Sequence, residues 1–136
     1  MIQSRQKGAR GERDAAKAWA ESLGLDPAAC RRGQQFAGGT ESPDVVTPME
    51  NIHLEVKRVE RGNPYGWIDQ AVRDAGSKIP VVLHRRNNRE WLAIVRLNDV
   101  PGLAREVSSQ AAQLGIHAIP RAVPDPGVPP SAGADG

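Results

Sequence analysis

The stretch "SPDVVTPMENIHLEVKRVE", residues 42–60, decides how the chain folds. It contains a short apolar run, "DVVT", and a longer one, "NIHLEVKRV", separated by the turn "TPMEN". Apolar and β-branched residues bounded by Pro and Asn read as two strands of a hairpin. Alternate residues of a strand share a face. Glu55 and Lys57 therefore point the same way, with His53 and Val59, while Leu54 and Val56 point to the other face. Asp44 begins the first strand, and the hairpin brings it beside Glu55. Charged side chains are seldom buried unless something pairs with them. Two converging carboxylates with an ammonium nearby call for a divalent cation.

Hard cations such as Mg²⁺ take oxygen ligands, often one or two carboxylates with water and substrate phosphate. Asp44, Glu55 and the main-chain carbonyl of Val56 are the candidate ligands. Such an ion activates water and stabilises charge on a phosphate. Lys57 would orient the attacking water, neutralise the pentavalent intermediate or, with a lowered pKa, act as base. Upstream, "RQKGARGERDAAKAWAESL", residues 5–23, predicts a helix with Ser4 as N-cap and Gly24 as the residue beyond its end. Its apolar stripe is Ala9, Ala16, Trp19, Ala20 and Leu23, and Glu12 falls near the centre of that stripe. An inward acid there could add a carboxylate that holds a second metal or a metal-bound water.

Working outward, "ACRRGQQF" is a weak strand candidate and "AGGTESPD" a loop. Asn63 caps a second helix with Pro64 in its first turn, running to about Ala75 along the stripe Ile68, Ala71, Val72 and Ala75. "KIPVVLHRR" and "EWLAIVRL" are two strands around "NN", which suits a tight hairpin. Asn98 or Asp99 caps a last helix, with Pro101 near its start and Gly115 at its end. The order α-β-β-β-α-β-β-α predicts an α/β domain with a mixed sheet flanked by helices. Residues 1–119 form this domain. The Pro/Gly-rich residues 120–136 have almost nothing to bury and read as a disordered tail.

Composition narrows the class. At 136 residues, 39% hydrophobic and 25% charged, the chain suits one soluble domain with one core. No apolar run reaches the ~20 residues of a membrane span, and the first residues lack the apolar segment of a signal peptide. One cysteine, Cys30, rules out an internal disulfide and a Cys-clustered zinc site, and fits a reducing cytoplasm. The net charge is +2, with arginines gathered at Arg31 and Arg32, at Arg58 and Arg61, and at Arg85, Arg86 and Arg89. Such clusters suit a polyanion such as DNA or serve as solvated turns. His53 and His84 could ligate metal but, as lone histidines on strands, read as structural residues, and Cys30 as an inert small one. Trp67 is either an interface anchor or local packing.

The ordered set "KGARGERDAAK", "SPDVV", "LEVKRV", "WIDQA" and "IPVVLHRRNNREWLAIV", spanning about residues 7–97, resembles the archaeal and phage type of Holliday-junction resolvase within the PD-(D/E)xK nuclease superfamily. The resemblance implies a restriction-endonuclease-like fold, a mixed β-sheet flanked by α-helices. It implies Glu12, Asp44 and Glu55 as acidic triad, Lys57 as catalytic lysine and Gln70 as supporting amide. It further implies a homodimer nicking paired strands of a four-way junction with Mg²⁺ or Mn²⁺. Relatives carry a catalytic serine in the loop before the aspartate; Ser42 is the nearest candidate here, and Thr40 the next. The alternatives are a nuclease of the same superfamily acting on other branched, flap or duplex DNA, a DNA-binding relative without catalysis, and a structural salt-bridge network.

Overall fold

The structure is a computed structural model that describes residues 2–33 and 43–113, with side chains from residue 9 onward. Helix α1 (Ile2–Leu23) leads through a 3₁₀ turn (Pro27–Ala29) to β1 (Arg31–Arg32), β2 (Val45–Val46) and β3 (Ile52–Lys57). Helix α2 (Pro64–Ala75), β4 (Ile79–His84), β5 (Leu92–Ile94), a 3₁₀ turn (Leu97–Asp99) and α3 (Val100–Gln113) follow. The five strands form one sheet in the order β1-β2-β3-β4-β5. Among the described strands only β3 and β4 run parallel, in register from Ile52↔Ile79 to Lys57↔His84, and α2 makes the crossover between them. The expected mixed sheet with flanking helices is the architecture observed, and it is restriction-endonuclease-like.

Strand alternation decides which helix covers which face. Leu54, Val81 and Leu83 are buried with Ala16, Trp19 and Ala20 of α1. Val82, one step along β4, is buried instead with Ile68 and Ala71 of α2. Leu54 and Val81 are fully buried, and each such side chain contributes about 1.5–3 kcal/mol by leaving water. Trp19 also donates its indole N–H to Thr47 Oγ1 at 3.1 Å, which ties α1 to the end of β2. Helix α3 is peripheral. Leu103 and Val107 lean on the α1-side core, and Asn51 donates to Glu106 at 2.8 Å, but no α3 residue is fully buried. Among the described residues no helix is long and apolar enough to cross a membrane.

The caps follow the sequence in part. Gly24 takes φ +68° and the Leu25 amide reaches back to the Ala20 carbonyl at 2.9 Å, a Schellman closure of α1. Asn63 Oδ1 accepts from the Tyr65 amide at 3.0 Å with Pro64 at the first position of α2. Ser4, by contrast, lies inside α1, which begins at Ile2. Asp99 does not cap α3: it sits in the 3₁₀ turn and accepts from Arg96 Nε at 2.7 Å. The β4–β5 connection is not a tight hairpin. Asn88 does take positive φ, +59°, but pairing begins only at His84↔Leu92 because the arginine-rich residues between are committed to contacts outside the ladder. Ser42, Thr40, Gly115 and residues 120–136 lie outside the described residues.

Candidate functional site

Asp44 is held from three sides. The pairing Val45↔Leu54 places it at the mouth of the β2–β3 hairpin, where its amide donates to the Leu54 carbonyl at 2.9 Å. Its Oδ2 accepts from the Val56 amide at 2.8 Å. Its carbonyl accepts from the Gly33 amide, also at 2.9 Å, on the β1 side. Gly33 is required by close approach: a Cβ there would lie 2.1 Å from the Pro43 carbonyl oxygen. The half-buried Asp44 carboxylate is thus anchored beside Val56, the residue whose carbonyl was expected to join it.

Glu12 arrives from α1. Its side chain is only 13% exposed, and Arg32 Nε on β1 donates to its Oε2 at 2.6 Å. Burial pushes the Glu12 carboxyl above its ordinary value; the bond from Arg32 opposes this and the negative charge of Asp44 adds to it. Glu12 and Asp44 therefore feel one another. Helix α1 crosses close to the end of β3, since a Cβ on Gly11 would meet Arg58 Cβ at 3.1 Å.

Glu55 has different company. It shares the α2 face with Val82, its partner in the β3–β4 register. Glu55 is 8% exposed and His53 1%, and His53 Nε2 lies 2.7 Å from Glu55 Oε1. Asp74 of α2 completes the group: one ligand atom from each of His53, Glu55 and Asp74 lies within 4.8 Å of the others. Among the described residues this is the one set of three His, Cys, Asp or Glu side chains so gathered; Glu12, Asp44 and Glu55 do not form one. Lys57, half-buried, ends β3 and accepts from the Arg85 amide at 3.1 Å through its carbonyl. Gln70 is exposed on α2.

The arginines divide. Arg31 and Arg32 are exposed on the edge strand β1, Arg32 engaged with Glu12. Arg58 braces the β4–β5 connection by donating to the Asn87 side chain at 2.8 Å and the Arg85 carbonyl at 3.2 Å. Arg61, Arg85, Arg86 and Arg89 line a groove of about 310 Å³ with Trp67 and His84 at its wall. Trp67 is accounted for locally: its ring lies 4.6 Å from that of His84, whose Nε2 meets the Val59 carbonyl at 2.9 Å.

Sequence reasoning weighed His53 as a metal ligand but favoured a structural role, and it passed over Asp74. The signal for His53 was its place two residues before Glu55 on the same face. Asp74 carried none, because only the packing of α2 on the sheet brings it there. With the geometry in hand, comparison with known proteins adds one finding. The model of a family described as "Phage putative PDDEXK endonuclease" matches residues 3–120. No curated protein matches the chain, and neither does any solved structure.

Proposed function

The chain belongs to this PDDEXK endonuclease family, and we propose that it is a divalent-metal-dependent endodeoxyribonuclease that resolves four-way DNA junctions. One observation carries the catalytic part: an Asp44 carboxylate fixed on the Val56 amide at 2.8 Å, whose charge is felt by the half-buried Glu12. The donor chemistry fits the metal. Asp44, Glu12 and the Val56 carbonyl offer hard oxygen atoms; burial chiefly raises the Glu12 proton affinity, and the Asp44 charge that adds to it is what a cation would relieve. Glu55, whose carboxylate meets His53 at 2.7 Å, would have to turn from that contact to add a further carboxylate. A divalent ion held there supplies Lewis acidity toward the scissile phosphate and the attacking water.

The remaining roles belong to the chain itself. Arg32 favours the ionised form of Glu12 and orients it from β1. Lys57 neutralises charge that develops on the phosphate, Gln70 supports it from α2, and Ser42 adds a hydroxyl from the preceding loop. Arg31, Arg58, Arg85 and Arg86 contact phosphates, so DNA binding weakens steeply with salt. The order of motifs resembling the junction resolvases supports the four-way junction as substrate. A C2 dimer, matching the two-fold symmetry of a junction, supplies two cutting centres. Residues 1–119 form the nuclease domain, and the chain works in the cytoplasm.

The test is cleavage of labelled four-way, flap and linear duplex DNA with and without Mg²⁺ or Mn²⁺, mapping nicks on every strand. Paired nicks on the junction with metal are expected. Asp44→Asn should lower the rate by at least ~10²-fold, the scale on which losing one charge-stabilising group disables a site, while keeping junction binding. Equal cutting of flap or duplex would replace the junction reading with the broader nuclease. An Asp44→Asn protein that cuts like wild type would remove the site.

A further inference from the structure

The proposed chemistry uses Glu55 but leaves its two neighbours, buried His53 and half-buried Asp74, without employment. His53 and Asp74 close on Glu55 in a layer otherwise made of Ile68, Ala71 and Val82. Polar groups in such surroundings cost stability unless they are satisfied. The hydrogen bond from His53 to Glu55 answers this for two of them. Asp74 brings a second carboxylate within reach, and an imidazole with two carboxylates is a donor set that a dication takes.

The geometry suits one. His53 and Glu55, two apart on β3, project from a strand paired on both sides, and Asp74 comes from a helix capped by Asn63. The scaffold is rigid, as a preorganised ion site requires. Donors bound at about 2.0–2.2 Å to a tetrahedral or octahedral ion stand about 3–4.4 Å apart. The ligand atoms here already lie within 4.8 Å of one another, and the 2.7 Å His53–Glu55 contact has only to open by a few tenths of an ångström. Ligand type then sets the metal. Mg²⁺ prefers oxygen donors and water, whereas an imidazole beside carboxylates suits borderline dications.

We propose that His53, Glu55 and Asp74 form a metal site that takes Mn²⁺ or Zn²⁺ in preference to Mg²⁺. The proposal builds on the reading of Glu55 as a metal-holding carboxylate, but its readout is binding, not cleavage.

The experiment is a Mn²⁺ titration of the full-length chain without DNA, following the signal of free Mn²⁺ by electron paramagnetic resonance, with Mg²⁺ as competitor. Wild type should bind Mn²⁺ and release it only to Mg²⁺ in more than about tenfold excess. Asp74→Asn and His53→Gln should weaken binding by about tenfold or more, the scale on which altering a metal's ligand environment acts. Asp74 is half-buried, so its variant tests the site even where His53→Gln unfolds, with circular dichroism reporting the fold. Unchanged Mn²⁺ affinity in Asp74→Asn, or displacement by equimolar Mg²⁺, overturns the proposal. A chain that cuts no DNA with any metal would sink the nuclease reading and leave this titration to stand or fall by itself.

Discussion

Gly33→Ala should damage the chain out of proportion to one methyl group. The new Cβ would sit 2.1 Å from the Pro43 carbonyl oxygen, where a carbon–oxygen contact needs about 3.3 Å. The obstacle is backbone, so no side chain can swing away, and the Pro43–Asp44 segment must retreat by roughly 1 Å. Overpacking of this kind costs about 1–3 kcal/mol, a fall in Tm of about 4–12 °C at about 4 °C per kcal/mol. Asp44 moves with Pro43. Its 2.8 Å bond to the Val56 amide then stretches beyond hydrogen-bonding range. Misplacing a catalytic group by 1 Å costs about 10²-fold in rate. The control is Gly66→Ala, where the nearest atom to a new Cβ is Asn63 Cβ at 4.0 Å. That change lies in α2 and should stabilise by about 0.5–1 kcal/mol. Urea denaturation and single-turnover cleavage of both variants decide the matter. A Gly33→Ala protein as stable and as active as wild type would refute the account of how Asp44 is positioned.

Glu12 binds its proton more tightly in the folded chain than unfolded, so its contribution to stability is greatest below pH 4.5 and is lost as pH rises through that value toward the raised one. Glu12→Gln should flatten stability over that window and be no less stable at pH 7, as read by urea titrations across pH; a steeper profile would contradict the burial of this acid. Asn63→Ala should cost about 1 kcal/mol in chemical denaturation through loss of the α2 cap, and Asn63→Asp only a few tenths. A chain ending at Ile119 should keep the wild-type cleavage rate and Tm; a large loss of rate would assign work to residues 120–136.

The sheet and its helices were legible because each element carries its own periodicity. The α1 stripe of Ala16, Trp19 and Ala20 and the α2 stripe of Ile68 and Ala71 are the residues found buried. Gly24 and Asn63 marked helix ends by chemistry that acts locally. Ser4 and Asp99 misled because a cap residue signals only that a helix is permitted to start. Ser4 is overrun by a longer helix, and Asp99 is captured by Arg96. Among the acids, the inward turn of Glu12 and the adjacency of Asp44 to β3 were readable from helix and hairpin geometry. The partners of these acids were not. Arg32 reaches Glu12 across 20 positions, and Asp74 reaches the Glu55 face only through helix–sheet packing. Such contacts are set by tertiary structure, to which no local pattern points.

Helix α3 anchors no fully buried side chain. It can detach while the sheet stays closed, an opening that costs less than unfolding the whole chain. Amide hydrogens along Val100–Gln113 should therefore exchange with solvent deuterium ahead of those of Leu54 and Val81. Proteases should clip this helix first, leaving the layers that hold the acidic residues intact for some time.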